Sequence, residues 1–275
     1  MAKCIVFWVL GYRLLVIEMK RYQNISLLQL NVKTGQKEYY LPKNASWRDK
    51  VIEKIVVFAP EVNTTPVVSP VNGATVFNEY ELSDMFFDLY NEDGVNIVHN
   101  LQAYSQNLNN TYPLTIGQKL SFDLCRIHFT SAPVKDGALM LYVFYNSTDL
   151  DVDEPTENIT INFPLQAGEK LSLQQVIERY MYARNKRVRH IAVWNGNTTS
   201  KAFNSAFITL RDTDGYLCHE YLPTFMLRPS ILPTGPYNIL MPENRIVLNA
   251  DIDFNNSFIV NTQSQQDDYI VTFYY

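Results

Sequence analysis

Four histidines, His99, His128, His190 and His219, are the chain's whole supply of imidazole for general base work or metal ligation. None forms a His-x-His pair, the arrangement a barrel metal site of the cupin type presents with a carboxylate and a further His. A pair of copper-binding sandwiches would need several His and a Met ligand, which this inventory does not match. The three cysteines, Cys4, Cys125 and Cys218, are odd in number and far apart, without CxxC spacing. They specify neither a disulfide framework nor a zinc knuckle, and Cys125 and Cys218 sit in strand-like runs as small buried thiols. Gly-x-Ser-x-Gly, phosphate-cradling glycine loops and His-Glu-x-x-His are all absent, and only 10 glycines are available to build such loops. The 28 acidic residues always contain some pair that would suit glycoside cleavage, so a carboxylate pair carries no weight without geometry. The expectation is a protein that is not an enzyme, with no catalytic residues, no cofactor and no metal.

Two stretches bear charge in a pattern. Arg179, Arg184, Lys186, Arg187 and Arg189 cluster with Tyr180 and Tyr182 between them. Such a segment either neutralises phosphates while its tyrosines stack on bases, or forms an exposed helix end whose cations meet carboxylates of a neighbouring subunit. The acidic run from Asp149 to Glu157 contains Pro155 where a calcium loop needs glycine, and it reads as a linker.

These features must be carried by 275 residues, of which 47% are hydrophobic and 19% charged, with a net charge of -5. That excludes a disordered chain, a bundle of membrane spans and a globally basic nucleic-acid binder. Two domains are the natural expectation at this length. The apolar stretch Cys4 to Ile17 is interrupted by Arg13 and is shorter than the ~20 residues of a spanning helix. It reads as a packing element, a membrane-surface anchor, or an extension upstream of a start at Met19. Eight N-x-S/T triplets occur among 25 asparagines, a density that chance supplies.

The chain reads as one pattern written twice. Glycine turns at Gly35 and Gly168 each join two strands. Ser46 and Ser172 are N-cap residues for a short helix expected in both halves, over Val51 to Lys54 and over Val176 to Arg179. In the second half, Ser172 and Gln175 make a capping box ahead of Leu173, Val176, Ile177, Tyr180 and Met181. Apolar runs follow at Ile55 to Phe58 and Ile191 to Trp194, then Asp-Gly hairpin signals at Gly94 and Gly215. His99 and His219 then stand at matching places. Leu120 to Phe129 reads as a strand whose phase change requires a bulge, with His128 facing outward or at an edge, and Ile246 to Phe254 as a cleanly alternating strand. Each half closes on an aromatic strand, Leu139 to Tyr145 and Tyr269 to Tyr275. The fold class is therefore all-β: two tandem jelly-roll-like antiparallel β-sandwiches with a short helix insertion. The expected division is an N-terminal segment at 1–22, a first sandwich at 23–148, an acidic linker at 149–157 and a second sandwich at 158–275.

Two tandem sandwiches with one helix insertion, sparse catalytic hardware and many Asn, Tyr and Phe resemble the double jelly-roll major capsid proteins of tailless icosahedral viruses and phages. The resemblance extends from Asn24 to Tyr275 and rests on architecture rather than on a short motif. It implies a structural virion protein, assembled in the host cytoplasm, whose homotrimers have a pseudo-hexameric outline and tile a shell. Partners are then further copies of the chain, other virion proteins, and an inner membrane or genome reached through the N-terminal or basic segment. Under it, the proline-bearing loops from Ala59 to Asn78 and from Leu227 to Tyr237 are candidate towers or inter-subunit arms. A duplicated lectin-like or receptor-binding module of a spike or tail is the alternative, and a two-sandwich hydrolase is a third.

Overall fold

A computed structural model describes residues 21–42, 47, 49–60, 66–106, 114–149, 157–177, 186–195, 206–227 and 248–275. The N-terminal segment, Arg179, Arg184 and the loop ahead of Tyr237 lie outside the described residues, as does most of the acidic run.

The first half contributes β1 (Arg21–Val32), β2 (Glu38–Tyr40), β3 (Ile52–Phe58), β4 (Met85–Tyr90), β5 (Asn96–Gln102), β6 (Arg126–Phe129) and β7 (Gly137–Asp149). The second contributes β8 (Asn158–Leu165), β9 (Lys170–Ser172), helix α1 (Leu173–Ile177), β10 (Arg187–Val188) and β11 (His190–Asn195). It continues with β12 (Ala206–Arg211), β13 (Leu217–Pro223), β14 (Ala250–Asp251), β15 (Phe258–Asn261) and β16 (Asp267–Tyr274). In the first half the sheets run β3-β7-β1 and β2-β6-β4-β5; in the second they run β11-β16-β8 and β9-β15-β12-β13. Written by position within each half, the two orders are the same, and both are jelly-roll-like.

The repeat extends to single hydrogen bonds. Gly35 and Gly168, both at positive φ as a tight turn requires, each donate their N–H across to the last loop of their own sandwich, to Pro133 and Gln263. The hairpin N–H groups of Asn91 and Asp212 donate to Val95 and Tyr216 at 3.0 Å. Beside them, Cys125 Sγ accepts the Tyr90 N–H at 3.2 Å and donates to the Tyr90 carbonyl at 3.5 Å. Ser257 Oγ does the same for Arg211, at 3.0 and 3.5 Å. Burial raises the Cys125 thiol to about 11, against the opposing effect of that N–H, so it stays protonated and able to donate.

Several expectations are revised. Val51 to Lys54 forms no helix: Ile52–Lys54 open β3, with a bulge at Glu53, and the equivalent break in the second half lies between Val188 and His190. The apolar spacing at Val51, Ile52 and Ile55 fits one helical turn and a bulged strand equally well. Helix α1 does form, with Ser172 Oγ accepting the Gln174 N–H at 3.3 Å and Leu173 and Ile177 buried. The phase change after Leu120 is a turn over Phe122–Leu124 rather than a bulge, which leaves Leu124 exposed. The alternation around Ala250 buries Leu248, Ala250, Ile252 and Phe254, though among the described residues of this run only Ala250–Asp251 is paired as a strand. The described part of the loop from Ala59 to Asn78 is no tower: Val68 bridges Thr75, and Val67, Ser69 and Val76 are buried.

The halves do not stand apart. β1 pairs in parallel with β13 through Ile25 and His219, so the sheets fuse into the order β3-β7-β1-β13-β12-β15-β9. β3 and β12 are four positions apart in that order, about 19 Å in a flat sheet at ~4.8 Å per strand. Yet the rings of Phe58 and Phe207 are 5.7 Å apart. The sheet therefore folds back between β3 and β12, so that these two strands face each other. β7 is buried on both faces: Leu139, Leu141 and Val143 face the first core, while Met140, Tyr142 and Phe144 join the core of the second half.

Because Ser257 does in one half what Cys125 does in the other, Cys125→Ser should unfold in urea within about 1 kcal/mol of the parent, while Cys125→Val, which strands the buried Tyr90 N–H, should cost about 1–3 kcal/mol. Equal losses for both variants would contradict the shared role.

Candidate functional site

The basic residues that the structure describes are engaged within their own chain. Lys186 pairs with Glu157 and lies 5.8 Å from the Tyr275 ring centroid. Arg187 faces Asp251 at 3.7 Å, and Arg189 Nη1 donates to Asn249 at 3.4 Å. Arg187 and Arg189 occupy the positions that Val51 and Glu53 hold at the start of β3 in the first half. The Leu248 N–H donates to the Arg189 carbonyl as the Ile116 N–H donates to the Glu53 carbonyl.

A different constellation lies on the outer face of the β2-β6-β4-β5 sheet. Strand β4 alternates, so Phe87 and Leu89 enter the core while Phe86 and Asp88 face outward. Register sets Asp88 opposite Arg126, and Phe86 opposite His128. The Asp88 side chain is nonetheless only 2% exposed, because it is covered by donors. His99 Nδ1 donates to Oδ1 at 3.0 Å, the Asn100 N–H donates to the same oxygen at 2.9 Å, and Arg126 Nε donates to Oδ2 at 3.1 Å. His128 Nδ1 stands 3.6 Å away, and its ring stacks on Phe86 at 5.8 Å. Arg126 reaches on to Glu38 at 2.8 Å. Asn100 Nδ2 donates to His99 Nε2 at 3.0 Å, so both ring nitrogens of His99 have partners.

Burial alone would push the Asp88 carboxyl up, but the Asn100 N–H, the Arg126 hydrogen bond and the nearby cations hold it below the usual carboxylate range. A carboxylate held by three donors from two neighbouring strands is a structural hub that ties β4 to β5 and β6. Arg126 keeps Glu38 and Asp88 on opposite sides of its guanidinium. The four histidines do not converge. His99 and His128 meet Asp88, His190 is buried at the start of β11, and His219 is buried with Nδ1 donating to the Cys218 carbonyl at 2.7 Å. Burial lowers His219 to about 4, against the opposing effect of that carbonyl. Among the described residues no group of three or more His, Cys, Asp or Glu could hold a metal ion, and no helix is long and apolar enough to cross a membrane.

The expected equivalence of His99 and His219 fails by one residue. Asn100 and Tyr221 are the matching pair: both have positive φ, and their N–H groups are capped from the facing strand by Asp88 at 2.9 Å and Thr209 Oγ1 at 3.0 Å. His99 therefore matches Glu220, and His219 matches Val98. The hub itself is assembled from strands distant in sequence. Its one local signal is Asp88 in the middle of the apolar run Met85 to Tyr90.

No known protein family matches the chain, and no curated protein does. Among solved structures, a chain from the atomic structure of Sulfolobus Turreted Icosahedral Virus is 10% identical, the match covering 92% of this chain and 90% of that one at a TM-score of 0.23. A Cupin 2 conserved barrel domain protein from Leptotrichia buccalis is 8% identical over 91% of this chain and 89% of its own, at a TM-score of 0.13. Superpositions this loose do not carry structural detail from one chain to another.

The depressed Asp88 value fixes a sign. A carboxyl whose folded pKa lies below its unfolded value of ~3.9 adds stability above that pH, and the contribution is lost as pH falls through the folded value. Asp88→Asn should therefore be less stable than the parent by about 1–3 kcal/mol near neutral pH, with the gap closing in urea titrations below about pH 4. A gap independent of pH would contradict the hub.

Proposed function

We propose that this chain is a structural virion protein, the major capsid protein of an icosahedral shell, working as a homotrimer with a pseudo-hexameric outline and without catalysis. One observation carries the reading: the same sandwich order occurs twice in one chain, and the two copies are locked into one body by a fused sheet and a common core. Such a body supplies two like-shaped faces per chain, so three chains offer six similar sides around a ring. The cost of ordering two sandwiches against each other has already been met inside the chain, which leaves contact area free to act between chains.

The polar chemistry on display fits the same reading. Asp88, Arg126 and Glu38 bind one another across the outer face of one sheet, and Lys186, Arg187 and Arg189 are engaged with Glu157, Asp251 and Asn249 of the same chain. Self-association asks for rigid, shaped faces with satisfied polar groups, and no reaction is required.

Light scattering of the purified protein at micromolar concentration should report at least three chains of 31.8 kDa each, or larger assemblies. A stable monomer under those conditions would overturn the reading.

A further inference from the structure

The internal repeat allows each surface of one sandwich to be compared with its counterpart in the other. The edge strands are unlike in their fates. β1, at the edge of β3-β7-β1, finds β13, at the edge of β9-β15-β12-β13, and the two pair in parallel. The counterpart of β1 is β8, and the counterpart of β13 is β5. Both are edge strands of their own sheets, and among the described residues neither has a second partner. An unpaired edge presents a row of backbone donors and acceptors to any complementary strand.

The faces next to these edges differ in the same sense. Inside the chain, the outer face of β3-β7-β1 meets the outer face of the second sandwich. Phe58 lies against Phe207, and the Tyr142 hydroxyl donates to the Tyr221 carbonyl at 2.6 Å. Both members of that pair are apolar. In the first sandwich the counterparts of Phe207, Tyr221 and Phe258 are Phe86, Asn100 and Arg126, and the Glu38–Arg126 ion pair replaces the stacking of Lys170 Nζ on Phe258 at 3.5 Å. On the second sandwich, β8 turns Asn158, Thr160, Asn162 and Pro164 outward, where β1 presents Ile25 and Leu27 near the joint. A face whose partner is built into the chain is apolar; the two faces left open are polar together. Such faces keep a free chain soluble until it meets its partner.

We propose that β8 of one copy of this chain adds in parallel to β5 of a second copy, joining the two open sheets as β1 joins β13 within the chain. The inference rests on the assembly reading and names the surface through which assembly occurs. The repeat also sets the register. Within the chain the Leu27 N–H donates to Glu220 at 3.1 Å. Thr160 is the counterpart of Leu27 and His99 the counterpart of Glu220, so Thr160 of one copy lies beside His99 of the next. The contact is head to tail, and each copy uses one β5 edge and one β8 edge, as a closed ring requires.

The test uses full-length chains carrying His99→Cys or Thr160→Cys. Cys125 and Cys218 are buried and form no disulfide in the parent, and both variants also carry Cys4→Ser, so the introduced thiol is the one left to cross-link. Mild oxidation of the mixed variants should give a disulfide-linked dimer containing one chain of each kind, whereas either variant alone should give none. Thr160→Arg, exposed in the single chain, should weaken assembly at least tenfold in light scattering while leaving the circular dichroism spectrum and thermal midpoint unchanged. Parent oligomers that neither cross-link in the mixture nor respond to Thr160→Arg would overturn the proposed contact and leave the assembly reading standing. A parent that stays monomeric would overturn both.

Discussion

The fold depends on how strand β7 is buried. From Leu139 to Tyr145 no residue is more than 3% exposed, so both faces of this strand must be covered, one by each half of the chain. A strand of that composition cannot close a free-standing sandwich with a wet outer face, since alternate side chains would then present Met140, Tyr142 and Phe144 to water. Removing that surface from water is worth roughly 1.5–3 kcal/mol for each large side chain. The parallel joint at Ile25 and His219, the Leu27 N–H on Glu220 and the Tyr142 hydroxyl on the Tyr221 carbonyl fix the geometry in which this burial is achieved. Glu220 is itself raised by burial, with the Leu27 N–H opposing.

From that constraint the rest follows in order. If the outer face of the first three-stranded sheet is committed inside the chain, the faces available to other molecules are those at the two ends of the layered body. The first of these is organised around Asp88, whose donors come from β5 and β6 and whose network reaches β2 through Arg126. Its cost in desolvated charge is offset by three close hydrogen bonds and keeps a sheet face polar without leaving any buried oxygen unmatched. The second is the row of short polar side chains along β8.

Much of this architecture was legible in the sequence because it is local. Gly35, Gly94, Gly168 and Gly215 mark turns that demand positive φ, and the apolar runs at Ile55, Ile191, Leu139 and Tyr269 mark buried strands. The repeat could be read from those marks in order. What could not be read is what depends on pairing across the chain. Val51 to Lys54 has the spacing of a helical turn, and only the register with β7 shows it to be a strand with a bulge at Glu53. His99 and His219 align by type, but the capped backbone of Asn100 and Tyr221 aligns by structure and shifts them by one. Asp88, His99 and Arg126 reach one another only through strand order, and the joint between β1 and β13 is written in no local pattern.

The most direct measurement is amide hydrogen exchange on the intact chain. A common core requires that the slowest amides of β1 and β7 open with the same free energy as those of β12 and β16, in one global event. Two tiers of protection dividing at residue 150, with one half exchanging while the other stays closed, would show two independent bodies and contradict the fused sheet.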